Sequence, residues 1–243
     1  MILPTRAEVG RRLAAELNRY QDQSPVIMAL SPGSISVAYQ VARALRAPLD
    51  VMAVKRVGVP GRRECVIGAI APGAVVLNDR VQELSLPQGY VDNLLQLEMK
   101  ELDRRARLLR DEHLPISLAG RTVLLVEDGR LTCWEVAAAI EAARKAGARR
   151  VVFATPTCAT ETAELARPRA DEFVTLCAPA ERRSFVMCHE NFVQTTGEEA
   201  QSLIEESRER KTSPPMAIAA DVVRQMERRH SRPQPRAGHP VGA

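Results

Sequence analysis

Short apolar runs alternate with helix-forming segments along most of this 243-residue chain, and that alternation constrains its fold more than any other feature. Runs at 26–30, 49–54, 122–126, 151–155 and 172–176 are too short to be buried helices and are bounded by proline, glycine, serine or charge. Helical patterns separate most of them at the spacing of strand–helix–strand units, which require a crossover between parallel strands. The expected class is therefore α/β, a mostly parallel doubly wound sheet with helices on both faces.

The segments follow in order. Thr5 and Glu8 have capping-box spacing ahead of Val9, Leu13 and Leu17, which predicts a helix over 6–19. The strand at 26–30 feeds the turn Ser31-Pro32-Gly33-Ser34 and a helix at 35–46. A second strand, 49–54, should end at Lys55 and Arg56, and 65–70 with 74–77 reads as a hairpin around Pro72-Gly73. A long helix at 90–110 sets Glu98 and Glu101 against Arg104 and Arg105 at ion-pair spacing. Further helices are expected at 136–145, ended by Gly147, at 160–167 and at 198–210. Residues 1–212 should form one α/β domain. Residues 213–243 should be a tail holding a short helix at 217–229, then a disordered stretch with too few apolar residues to build a core.

Composition narrows the function classes. The net charge of +4 is carried mainly by arginine, and with 3% aromatics there is no basic stripe interleaved with stacking residues, which argues against nucleic acid as a partner. Five scattered cysteines, without a C-x-x-C pair, favour reduced thiols in a cytoplasmic protein over a disulfide framework or structural zinc. His113, His189, His230 and His239 lack triad or ligand spacing. No apolar run is long enough for a membrane span, and homo-oligomerisation stays open.

The candidate site lies where the apolar run 122–126 stops at two adjacent carboxylates, Glu127 and Asp128. Gly129, Arg130, Leu131, Thr132, Cys133, Trp134 and Glu135 then form a loop into the next helix. Ligands of open α/β sheets bind beyond the carboxyl ends of the strands. Lys55 and Arg56 are expected at the same sheet edge, as phosphate contacts.

In this order the elements resemble the type I phosphoribosyltransferase family over about residues 5–210. Val123 to Glu135 is similar to its signature for phosphoribosyl pyrophosphate, and Ser31-Pro32-Gly33-Ser34 is similar to its pyrophosphate loop. The resemblance implies a transferase of nucleotide metabolism that displaces pyrophosphate from C1 of a ribose. Glu127 and Asp128 would bind the ribose hydroxyls. The loop N–H groups would cradle the 5′-phosphate, and magnesium would bridge ligand oxygens. Several positions depart from the pattern. Pro32 replaces an arginine and Ser34 a glycine; Cys133, Trp134 and Glu135 replace a glycine, a small residue and a threonine or serine. At about 4 Å and an effective dielectric near 20, each unit of like charge costs about 4 kcal/mol, so Glu135 should repel a 5′-phosphate unless a cation such as Arg130 compensates. Two readings stay open: a transferase with an altered donor or 5′ group, or a fold-mate that binds a nucleotide-like ligand or a protein partner without turnover.

Overall fold

The computed structural model describes residues 5–62, 65–111, 113–177 and 196–212. Helices and a five-stranded parallel sheet form its larger part, the sheet ordered β2-β1-β6-β7-β8, with β1 Val26–Ala29, β2 Leu49–Val51, β6 Thr122–Val126, β7 Arg150–Thr155 and β8 Glu172–Thr175. Every residue of the central strands β1 and β6 and of the edge strand β2 is buried, as expected for a parallel sheet covered on both faces. One face packs on α1 (Arg6–Leu17), α2 (Ile35–Leu45) and the charged helix α7 (Gly197–Thr212), through Leu13, Leu17, Val41, Ala200 and Ile204. The other packs on α5 (Cys133–Lys145), whose alanines let it approach closely, and on Ala166 of α6 (Thr160–Ala166).

The expected second strand is shorter than 49–54. It ends at Val51, and Lys55 to Gly58 begin β3 of a separate antiparallel sheet, β3-β4-β5, with β4 at Val66–Ala71 and β5 at Ala74–Leu77. Apolar character continues through residues 52–54, which hides the break; Met52 packs in the main core whereas Ala53 joins the smaller one. A short helix, α3 (Arg80–Glu83), and the long α4 (Gln88–Leu109) follow, and Leu94, Leu102 and Ala106 of α4 cover Val57, Ile67 and Ile70. On the opposite side, Ala69, Ala71 and Ala74 pack with α5, so α5 lies between the two sheets.

Ion pairing on α4 follows its helical spacing only in part. Glu101 holds Arg104 and Arg105, whereas Glu98 reaches across to Lys55. The C-terminal end of α4 is pinned by a pair with no counterpart in any local pattern: Arg110 Nε donates to Asp50 Oδ1 at 2.7 Å, and Asp50 is fully buried. Gln201 and Arg208 of α7 donate to the carbonyls of Leu108 and Arg110 at 2.6 and 2.9 Å, which caps α4 at its open end.

The chain divides into two units, Met1–Arg208 and Glu209–Ala243, and all of these contacts lie within the first. The tail expected at 213–243 lies outside the described residues. Among the described residues no helix is long and apolar enough to cross a membrane.

Candidate functional site

The site is built at the carboxyl end of β6. The strand remains in its ladder to the end, with Leu30 N–H donating to Val126 O at 3.2 Å and Glu127 N–H donating to Ala154 O at 3.1 Å. Immediately afterwards Gly129 adopts a φ of +100°, a conformation that glycine tolerates and most residues do not. The chain therefore turns back on itself. The N–H groups of Gly129, Arg130 and Leu131 all donate to the Glu127 carboxyl group, those of Arg130 and Leu131 at 2.6 and 2.9 Å. The loop does form an N–H cradle, but Glu127 itself fills it. Burial, and secondarily the negative charge of Asp128, raise the Glu127 pKa well above the usual carboxylate range, against the opposing effect of these donors. Thr155 Oγ1 lies 3.3 Å from the same carboxyl group and donates to Thr157 O at 2.7 Å.

Asp128 is equally buried and, besides its hydrogen bond with the Glu127 carboxyl group, takes a cation. Arg6 donates to its Oδ2 from Nε at 3.1 Å and from Nη2 at 3.0 Å. Arg6 is the first residue of α1, and local sequence reading marks it only as an interior position of the Thr5–Glu8 cap. The Thr5 half of that cap is present, with Glu8 N–H donating to Thr5 Oγ1 at 3.1 Å, while the Glu8 carboxylate turns to Arg11 and Arg12. No periodicity reveals a partnership across 122 positions. The one available signal is a charged side chain among the inward-facing positions of an amphipathic helix.

The turn before α2 meets this pair. A Cβ built on Gly33 would lie 2.6 Å from Asp128 Oδ2 and 3.2 Å from Arg6 Nη2, so the absence of a side chain lets the acidic strand end approach the 31–34 backbone. Ser34, in place of the expected glycine, is fully buried and points into its own turn. Its Oγ accepts from Ser31 N–H at 2.9 Å and donates to Ser31 O at 2.8 Å, while its N–H reaches Ser31 Oγ at 3.1 Å. The extra Cβ is thus accommodated within the turn, and Pro32 sits exposed at its tip.

At the start of α5, Thr132 is the N-cap and Glu135 its third-residue partner, a capping box that local spacing could have signalled. Glu135 Oε2 accepts from Thr132 N–H at 3.0 Å and from Thr132 Oγ1 at 2.8 Å, and Arg56 Nε of β3 lies 3.7 Å away. Trp134 and Leu131 are partly buried against the core around α5. Burial raises the Cys133 pKa and pushes Cys158, in the neighbouring loop after β7, up to about 12. Both thiols are thereby kept protonated and weakly nucleophilic. Lys55 is engaged by Glu98 on α4, and Arg130 is exposed beside the loop.

Of the expected site residues, the structure thus brings Glu127–Glu135, the 31–34 turn and Arg56 to one edge and directs Lys55 to α4; it adds Arg6, Thr155 and Thr157. No cluster of three potential metal ligands occurs among the described residues. With Glu127 holding backbone N–H groups and Asp128 holding Arg6, the donor set does not fit a magnesium ion caged by protein.

A parallel sheet of this order, a small antiparallel sheet carried by α4 and α5, and an acidic strand end facing a glycine turn define a phosphoribosyltransferase-type fold. The chain belongs to the phosphoribosyl transferase domain family, whose model matches residues 2–182. It is 35% identical over 202 residues to Rv0571c of Mycobacterium tuberculosis strain H37Rv, which carries a provisional phosphoribosyl transferase name, and to MT0597 of strain CDC 1551 to the same extent. Each match covers 82% of this chain but 46% of the relative, so the chain spans about half the length of these curated relatives. Among solved structures it resembles TT1426 from Thermus thermophilus, with a TM-score of 0.71 and 30% identity, covering 85% of this chain and 99% of that one.

Proposed function

We propose that the protein binds a ribosyl-containing small molecule across the 31–34 turn and the 127–135 loop and promotes substitution at C1 of the ribose. The observation that carries this reading is the close approach of Gly33 to Asp128, which makes the turn and the acidic strand end one continuous floor. Asp128, held in a single orientation by two donors of Arg6, accepts from the ribose hydroxyls. Its fixed negative charge also faces the cation-like sugar that forms between departure of the leaving group and attack by the acceptor. Glu127 keeps the loop backbone folded beneath the sugar. Arg130, exposed beside the loop, meets an anionic leaving group.

A second reading, binding without turnover, is favoured by the intramolecular partners that both carboxyl groups already have. Incubating the protein with phosphoribosyl pyrophosphate, magnesium and a panel of nucleobases, and measuring pyrophosphate release, separates the two. Release that disappears in Asp128→Asn supports the transferase. Saturable binding with no release supports a ligand-binding fold-mate. Absence of binding by phosphoribosyl pyrophosphate, nucleosides and ribose alike removes the ribosyl reading.

A further inference from the structure

A groove of about 410 Å³ opens at the amino end of the parallel sheet, lined among the described residues by Gln23, Arg149, Arg150 and Asp171. β6 and β7 enter the sheet here, at Thr122 and Arg150, and leave it at Val126 and Thr155 beside the acidic loop. At about 3.3 Å per residue these strands hold the groove roughly 15 Å from Glu127, so it is a separate place on the molecule.

The polar groups of the groove are unequally used. Its one acid, Asp171, is balanced: Oδ2 receives Arg144 Nη1 at 2.8 Å and Val151 N–H at 2.7 Å. Gln23 spends its carbonyl oxygen on the Thr122 hydroxyl at 3.1 Å, which leaves its amide N–H₂ to donate. Arg149 is exposed, and its guanidinium makes no hydrogen bond or ion pair with a described residue. Arg150 stacks on Tyr20, 5.5 Å from the ring centroid, and donates from Nη2 to Glu172 at 3.0 Å, while its Nε is sealed from solvent without an acceptor. Glu172 is shared, because Arg19 and the Tyr20 hydroxyl also donate to it. One carboxylate thus answers two guanidiniums and none answers Arg149. Asp22, the exposed acid on the 3-10 turn Asn18–Gln23, pairs with none of them.

We propose that this groove binds the phosphate group of a small phosphorylated metabolite, at a site distinct from the ribose floor and independent of the ribosyl reading. Arg149 supplies a planar fork for two phosphate oxygens, and the Gln23 amide donates to a third. Arg150, with its Nε out of reach, contributes charge rather than that hydrogen bond. A phosphate monoester carries about 1.5 to 2 negative charges at neutral pH, which matches the excess of Arg19, Arg149 and Arg150 over Glu172. A carboxylate has two oxygens and a single charge, so it would leave the Gln23 amide and half of that excess unmet. The groove is also larger than a bare phosphate and falls in the size range of small-molecule sites, which leaves room for the organic part of the ligand.

The full chain, labelled with nitrogen-15 in its arginines, is titrated at constant ionic strength with glycerol 3-phosphate, which contains no ribose, and with inorganic phosphate. Both should shift the Arg149 and Arg150 Nε–H signals saturably, glycerol 3-phosphate at the lower concentration. Read at Arg150, Arg149→Glu should weaken binding by roughly tenfold or more, and Gln23→Ala by about two- to fivefold. Arg80→Glu, the same charge change on the exposed face of α3, should leave the affinity as it is. Arg149 has no side-chain partner to lose, so its replacement should leave the fold intact, and the remaining arginine signals check that it does. The proposal is overturned by the absence of a saturable shift at Arg149 and Arg150, by equal weakening in Arg149→Glu and Arg80→Glu, or by a response to inorganic phosphate alone.

Discussion

Arg6 and Asp128, 122 positions apart, form a buried ion pair in which two guanidinium nitrogens converge on one carboxylate oxygen at 3.0 and 3.1 Å. Their side chains are 7% and 1% exposed. Through this pair the first turn of α1 fixes Asp128 beside Glu127, whose carboxyl group holds the N–H groups of the following loop.

Asp128→Asn is accordingly expected to affect more than ligand affinity. Removing one member of a buried pair leaves the other uncompensated, which typically costs about 3–5 kcal/mol. Urea unfolding should show a loss of this order for Asp128→Asn and for Arg6→Met, and a smaller loss for the double variant than for the two singles added together. Additive losses would show that the two side chains stabilise the fold independently.

Gly33→Ala tests the approach of the turn to the strand end. The new Cβ would sit 2.6 Å from Asp128 Oδ2, so either the turn or the ion pair must move. A destabilisation of about 1–3 kcal/mol, the range for overpacking, is expected in thermal or urea unfolding. Unchanged stability would mean that the 31–34 turn stands further from Asp128 in solution.

Glu127 makes stability depend on pH in a defined direction. Its folded-state pKa is raised by burial and by Asp128, so between the unfolded value near 4.5 and the folded value the native state holds the extra proton. The stabilising contribution is therefore fully present below pH 4.5 and is lost as pH rises through the folded pKa. In Glu127→Gln that slope should disappear from the unfolding free energy. The variant should also be less stable near the acidic end by about 1–3 kcal/mol, because an amide N–H₂ would face the Gly129 N–H. Parallel pH profiles for the two proteins would exclude Glu127 as the source.

Glu101 shows the opposite sign on the surface. Hydrogen bonds from Arg104 and Arg105 lower its pKa to about 2, so its contribution is present above pH 4.5 and disappears as pH falls towards 2. A carboxyl-carbon NMR titration should give a midpoint near 2 that moves towards 4.5 when both arginines are replaced by alanine or when salt is added. A native midpoint at the ordinary value would show that the pairs are not maintained in solution.

What the sequence determined by itself is what local patterns encode. The parallel strands, the body of the helix expected at 136–145, the turn at Gly147 and the acidic strand end all follow from apolar runs, helical patterning and glycine punctuation, while the start of that helix at Cys133 after the Thr132 cap was missed. Those signals act within a few residues, and their order along the chain also carried the family resemblance. The break between β2 and β3 was not legible, because residues 49–54 are apolar except for Asp50 and only packing against two different cores separates them. Nor was the wiring of the charges. Arg6 reaches Asp128, Arg110 reaches Asp50, Lys55 reaches Glu98 and Arg56 approaches Glu135 across separations of 43 to 122 positions or between different sheets. Charged side chains have no periodicity that names a distant partner, and burial, which only the assembled fold creates, is what makes each partnership obligatory. The sequence placed a carboxylate at the start of α5, at capping-box spacing from Thr132; the tertiary structure decided that Arg56 of β3 approaches it.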